Sequence, residues 1–194
     1  MTTIYLMRHG ETLFNRLHKK QGWCDSPLTQ LGIQQALVAK KYFKNNEITF
    51  DEAFCSTAER ASDTLEIITP QPYTRLKGLK EWNFGRYEGQ DEFLNPPQPY
   101  GDFFKTFEGE GETEVQERFN AAMLKIAKET TGQQILVVAH AAAIRAFMRL
   151  WEHTTEIPSL KRLTNCGILR FDFDSEQEQF HLQEVVEHDF SNLH

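Results

Sequence analysis

Arg8 and His9 stand side by side at the end of an apolar run, Ile4-Tyr5-Leu6-Met7. A guanidinium keeps its charge at any ordinary pH and an imidazole carries a lone pair near neutrality, so together they can hold an anion against a nucleophile. A second apolar run, Ile135-Leu136-Val137-Val138-Ala139, ends in His140, and a third, Ala53-Phe54-Cys55, leads through Ser56 to Arg60. Two arginines and two histidines at the ends of strand-like runs read as phosphate chemistry. Guanidinium forks match phosphate oxygens, and a neutral imidazole attacks phosphorus once the charge of the dianion is met. Both arginines disfavour the protonated form of His9 and so lower its pKa, which lets it attack without a metal. The demand is large, because enzymes accelerate phosphate-monoester hydrolysis by up to about 10²¹-fold. A departing alkoxide also needs a proton, which a carboxylic acid beside a bound dianion supplies.

Three other chemistries fit less well. Cysteine-dependent phosphatases separate nucleophile and arginine by five residues, whereas only Ser56-Thr57-Ala58-Glu59 lie between Cys55 and Arg60. None of the seven histidines falls in a His-Glu-x-x-His zinc pattern, so no metal is expected. The glycine cluster Gly109-Glu110-Gly111-Glu112 is acidic, repels phosphate, and reads as a lid or a helix entry.

These side chains need a frame that gathers strand ends. Apolar runs alternate with helical patterns along the chain, which predicts an α/β fold: a three-layer α/β/α sandwich with a mostly parallel central sheet. In such sheets ligands collect where strands finish. Leu28-Thr29 opens a helix carrying Ala36 and Leu37, and Ser56-Thr57-Ala58-Glu59 is a capping-box pattern that puts Arg60 in a first helical turn, with Ala61, Leu65 and Ile68 at helical spacing. Val115, Phe119, Ala122, Met123 and Ile126 form an amphipathic stripe that packs on the core. Ile144, Phe147, Met148 and Trp151 form another after His140. Ile168 to Phe171 and Phe180 to Val186 predict a strand pair with edge or antiparallel placement. The proline-rich stretch from Asn95 to Tyr100, with Phe103, Phe104 and Phe107, forbids a long helix. It reads as a loop whose phenylalanines cover the core, with a substrate-contacting lid as the alternative.

The ordered motifs resemble the histidine phosphatase superfamily, branch 1, the phosphoglycerate mutase-like proteins. They run through Arg8-His9-Gly10-Glu11-Thr12, Asn15, Gln21-Gly22-Trp23-Cys24-Asp25-Ser26-Pro27-Leu28-Thr29, Gly32 and Ala36, and Ser56 to Ala61 with Thr64. They continue at Leu79-Lys80-Glu81, Phe84-Gly85-Arg86-Tyr87-Glu88-Gly89, Gly111-Glu112-Thr113 with Arg118, and Ala139-His140. The resemblance implies a phosphoglycerate mutase-like fold in which His9 becomes phosphorylated. Arg8, Arg60 and His140 then clamp the phosphoryl group, Asn15 and Gln21 line its pocket, and Glu81 is the proton donor. Where the family has glycine after the second histidine this chain has Ala141, small enough to keep the pocket. Mutases of the family carry a long insertion after the acid-base glutamate, and this chain looks short there. The expected activity is therefore hydrolysis of small phosphomonoesters, with a cofactor-dependent phosphoglycerate mutase as the alternative and a non-catalytic phospho-ligand binder behind both. No cofactor is expected.

Composition agrees with one soluble domain over residues 1–194. Twenty-eight acidic against 21 basic residues give a net charge of −7, which argues against nucleic acid or an anionic membrane as partner. A small phosphorylated metabolite must then be held by a local basic cluster, with Lys19 and Lys20 assisting. Hydrophobic residues make up 40% of the chain, enough for a core. Three cysteines, an odd number without metal or redox spacing, point to a cytoplasmic protein. Met1-Thr2-Thr3 passes straight into the first strand, so no signal peptide or membrane span is expected. A homodimer is left open.

Overall fold

The computed structural model describes residues 1–158 and 160–193. In chain order the elements are β1 (Thr2–Arg8), α1 (Leu13–Arg16), α2 (Gln30–Asn45), β2 (Glu52–Ser56), α3 (Glu59–Ile68), β3 (Thr74–Leu76), α4 (Glu112–Glu129), β4 (Gln134–Ala139), α5 (Ala141–Leu150), β5 (Ile168–Asp174) and β6 (Gln179–Val186). Short 3-10 turns, among them Gly85–Tyr87 and Phe103–Phe107, carry the chain from β3 to α4.

The six strands form one sheet in the order β3-β2-β4-β1-β5-β6. β3, β2, β4 and β1 pair parallel, while β5 is antiparallel to both β1 and β6, so only β5 runs against the rest. Side chains on a strand alternate between faces, and the apolar runs of β1 and β4 serve two cores. Ile4, Leu6, Ile135 and Val137 face Phe119, Met123 and Phe147 of α4 and α5. Tyr5, Met7, Leu136 and Val138 face Ala36, Phe43, Leu65 and Ile68 of α2 and α3. Helices on both faces make the three layers, and burial on both sides explains why these strands read as unbroken hydrophobic sequence. Among the described residues no helix is long and apolar enough to cross a membrane.

Thr29 caps α2, its hydroxyl accepting from the Gly32 N–H at 3.0 Å. Ala36 is buried in that helix, but Leu37 is half exposed. The capping box at Ser56 does not form as expected. Ser56 is paired in β2 opposite Leu76, its hydroxyl accepts from Ala58 N–H at 3.1 Å, and α3 starts at Glu59 with no side-chain cap at Ala58. Sheet pairing holds Ser56 extended and outweighs a local cap worth about 1 kcal/mol. Arg60 nonetheless occupies the first turn of α3.

The acidic glycine cluster is a helix entry: Gly111 precedes α4 and its N–H donates to Glu114 at 2.7 Å. The proline-rich segment covers the core as expected and also borders a cavity. Phe104 is fully buried among Trp82, Phe84, Tyr87 and Tyr100, while Asn95, Gln98 and Tyr100 line a cavity.

Candidate active site

β1 and β4 are parallel neighbours in register, Arg8 opposite Ala139, so the residues that follow leave the sheet together. That places His9 against His140, ring centroids 5.2 Å apart at 61°. β2 is the next strand, and the helix after it brings Arg60 to the same edge. Arg60, fully buried, donates through Nε to His9 Nε2 at 3.2 Å. Its Nη1 donates to Asp25 Oδ1 at 2.8 Å and to the Cys24 carbonyl at 3.0 Å, and its Nη2 to the Gly22 carbonyl at 2.8 Å. Arg8 donates through Nη1 to the Leu163 carbonyl at 2.6 Å. Burial lowers Arg8 to about 10, so it stays charged at neutral pH.

The protonation state of His9 follows from its partners. Nδ1 lies 2.7 Å from the Gly10 carbonyl oxygen, which can only accept, so Nδ1 carries the hydrogen and Nε2 the lone pair. Burial, then the Arg60 and Arg8 charges, hold the pKa of His9 well below the ordinary histidine value. Burial and Arg60 do the same to His140. Both ring nitrogens of His140 and Nε of Arg8 are buried and make no hydrogen bond among the described residues. Buried polar atoms without partners are rare and mark sites built for something else to bind.

Glu81 reaches the same place from the loop after β3. Its Oε1 accepts from the Trp82 and Ala143 N–H groups at 2.8 and 2.7 Å, and its Oε2 from Ala142 N–H at 3.0 Å. The carboxyl therefore caps the helix that starts immediately after His140. A cavity of about 610 Å³ opens over these groups, walled by Arg8, His9, Asn15, Gln21, Glu81 and Ala141 among others. Arg60 and His140 stand behind His9 and do not line it.

The sequence profile of the histidine phosphatase superfamily (branch 1) matches residues 4–185. The chain belongs to that superfamily. Over 186 residues it is 30% identical to a probable phosphoglycerate mutase, GpmB, of Yersinia pestis (strain Pestoides F), covering 89% of this chain and 86% of the relative. Among solved structures it is similar to a phosphoserine phosphatase of Entamoeba histolytica in complex with 3-phosphoglyceric acid: 29% identity, TM-score 0.75, covering 97% of this chain and 98% of the other. It is also similar to Bacillus stearothermophilus YhfR, with 27% identity, TM-score 0.80, and coverage of 94% and 95%. The names of these relatives include both a mutase and a phosphatase.

Two supports of this candidate site escape a reading for chemistry alone. Glu88 accepts from the N–H groups of Gly22, Trp23 and Cys24 at 3.0, 2.8 and 3.1 Å, and so folds the loop whose carbonyls grip Arg60. A Cβ on Gly22 would sit 2.2 Å from the Trp82 carbonyl oxygen, so only glycine allows that approach. Arg118, from α4, donates to the carbonyls of Gly78, Lys80 and Glu81 at 3.0, 2.7 and 2.7 Å while paired with Glu110 at 2.6 Å. It fixes the backbone that carries Glu81. Both residues fall inside motif stretches of the sequence, but nothing in their spacing tells that they act on backbone.

Asn15 and Gln21 differ. The Asn15 amide oxygen accepts from the Thr12 N–H and from Asn165 Nδ2, both at 3.2 Å, leaving its NH₂ for a ligand. Gln21 is engaged at both ends, accepting from the Thr12 hydroxyl at 2.6 Å and donating to Ser26 Oγ at 3.0 Å. Lys20 lines the cavity, its amine boxed by the rings of Phe84, Tyr87 and Phe104 and lowered to about 8 by burial. Lys19 does not join it, because an ion pair with Asp91 at 2.6 Å holds it outside the lining. Cys24, Cys55 and Cys166 are unpaired, with thiols pushed up to about 12, chiefly by burial. None supplies a thiolate at neutral pH. Among the described residues no group of three or more His, Cys, Asp or Glu is arranged to hold a metal ion.

Proposed function

We propose that the protein hydrolyses small phosphomonoesters through a phosphohistidine on His9. The observation that carries this reading is the tautomer of His9: Nδ1–H on the Gly10 carbonyl and the Nε2 lone pair facing Arg60 Nε at 3.2 Å. On this reading the phosphoryl group displaces Arg60 Nε from His9 Nε2, its oxygens taken from the cavity side by Arg8 and the Asn15 amide and from the far side by Arg60 and His140. Gln21 holds Thr12, which caps the short helix bearing Asn15, and Ala141 offers the start of α5, where an anion is favoured. Nε2 attacks phosphorus as the ester P–O bond breaks. The leaving alkoxide takes its proton from Glu81, whose resulting carboxylate three N–H groups hold. The phosphoimidazole carries positive charge, and the Gly10 carbonyl on Nδ1–H stabilises it. Water then attacks phosphorus, Glu81 takes its proton, the P–N bond breaks and inorganic phosphate leaves.

The short connection between Glu81 and α4 and the likeness to the Entamoeba phosphatase support hydrolysis. The likeness to GpmB favours the mutase as the second reading, in which a second phosphoacceptor replaces water. Phosphate release from a panel of phosphorylated metabolites is expected with wild type, falling at least about 10³-fold in folded His9→Ala. Isomerisation of 3-phosphoglycerate supplied with bisphosphoglycerate, much faster than phosphate release, would decide for the mutase. A reducing compartment such as the cytoplasm suits three free cysteines.

A further inference from the structure

We propose that Lys20 is a positioning residue: its ammonium, boxed by three aromatic rings, fastens residues 92–100 as the outer wall of the cavity and so sets how firmly that cavity holds a ligand. The turnover test of this inference rests on the phosphomonoester reading, and its structural test does not. Residues 18–20 and 90–92 run antiparallel beside the cavity. Lys19 stands opposite Asp91, the Lys20 N–H donates to the Gln90 carbonyl at 2.7 Å, and the Glu92 N–H donates to the His18 carbonyl at 2.8 Å. Side chains alternate along such a pair, so His18, Lys20 and Glu92 line the cavity while the ion-paired Lys19 and Asp91 do not. After Glu92 the pairing ends. Prolines at 96, 97 and 99 lack N–H groups, and among the described residues 96–99 make no backbone–backbone hydrogen bond with the rest of the chain. Asn95, Gln98 and Tyr100 nonetheless line the cavity, and the Lys20 amine reaches this stretch by donating to Asn95 Oδ1.

Lysine is a costly residue at this place. It is 3% exposed, its amine 4.4, 4.8 and 5.2 Å from the ring centres of Phe104, Tyr87 and Phe84. An apolar side chain would fill the box without desolvating a charge, so the ammonium does something that packing does not. Phe84 and Phe104 belong to the main core, and cation–π attraction strengthens on desolvation, so the amine ties the wall to a fixed part of the molecule. Its donors are spent on Asn95 and the rings, which makes it a support of the wall rather than a clamp on phosphate. Burial lowers Lys20 to about 8, with Glu92 and Glu88 acting the other way, so the folded protein loses this charge as pH rises through about 8. The other ionisable groups around it are otherwise engaged. His18 lies 3.8 Å from Glu92, Glu88 accepts three N–H groups, and the Cys24 thiol, donating to the Lys20 carbonyl, is pushed up to about 12. Arg86 and Lys105, on the turns that carry Tyr87 and Phe104, pair with Glu108 and with Asp102 and Glu114.

Lys20→Met removes the charge and leaves a side chain that suits an aromatic box, so its melting temperature is expected to hold or rise. At pH 7 its amide hydrogen exchange over residues 89–101 should nevertheless quicken at least about fivefold against wild type, with residues 112–129 unaffected. KM for p-nitrophenyl phosphate is expected to rise about 3–10-fold, with kcat changed less than about twofold. Wild-type KM should climb toward the variant's value between pH 7 and 9, and the variant's should not. Unchanged exchange over 89–101 in the folded variant overturns the inference, whatever the activity. So does a loss in kcat at constant KM, which assigns the amine to the reacting phosphoryl group, and so does a wild-type KM that stays flat to pH 9. Should the variant not fold, wild-type exchange over 89–101 relative to 112–129 is compared at pH 7 and 9, an equal ratio overturning the inference. If no phosphomonoester is turned over, the phosphatase reading falls and exchange alone decides on Lys20.

Discussion

His9 is set by two partners that pull in one direction. The Gly10 carbonyl fixes which nitrogen holds the hydrogen, and burial with two guanidiniums keeps the ring neutral. In the proposed mechanism Glu81 donates the proton, so its replacement should be read by leaving group. Glu81→Gln is expected to cost about 10²–10⁴-fold in kcat on alkyl phosphates and far less on p-nitrophenyl phosphate, whose phenolate leaves unaided. Equal losses on both esters would remove it from proton donation. Arg8 and His140 were legible because each directly follows an apolar run that the sheet buries, and His9 because it stands next to Arg8. The tautomer of His9 and the engaged amide of Gln21 were not legible, since both depend on partners that only folding selects.

The start of α5 is the element on which the site turns. It follows His140 without a break and offers the N–H groups of Ala142 and Ala143 to Glu81, so the two residues proposed as phosphoryl clamp and proton donor are tied to one helix end. Arg118 braces the other side of Glu81 from α4. Arg118→Met is expected to reduce stability by about 2–3 kcal/mol, leaving the half-buried Glu110 unpaired. It should also slow alkyl esters more than p-nitrophenyl phosphate, a selectivity that a purely structural loss would not show. Strands buried on both faces give unmistakable runs, and thus β1, β2 and β4 could be read directly. The start of α3 could not, because Ser56 answers to its partner strand rather than to the local capping pattern. Glu88 and Arg118 act on backbone groups, and such targets leave no trace in residue type.

At the scale of the molecule, an acidic chain of net charge −7 concentrates Arg8, Arg16, Lys20, Arg145 and Arg162 around one cavity, against Glu11, Glu81 and Glu92. Keeping two imidazoles buried and neutral has a stability consequence. Their folded pKa values lie below the unfolded value near 6.5, so below that pH the unfolded chain binds protons that the folded one refuses. Stability is therefore expected to fall as pH drops through about 6.5. His140→Gln removes one such group, and its melting temperature should decline less steeply than that of wild type between pH 7 and 5; parallel curves would contradict this origin. The walls of the cavity also come from remote parts of the chain. Leu163 holds Arg8 through its carbonyl, Asn165 donates to Asn15 and to the His9 carbonyl, and Cys166 N–H donates to the Arg8 carbonyl. During synthesis the first strand emerges from the ribosome long before these residues do. A nascent chain thus exposes the His9 imidazole early but has no finished enclosure around it until the reversed strand β5 has begun to dock.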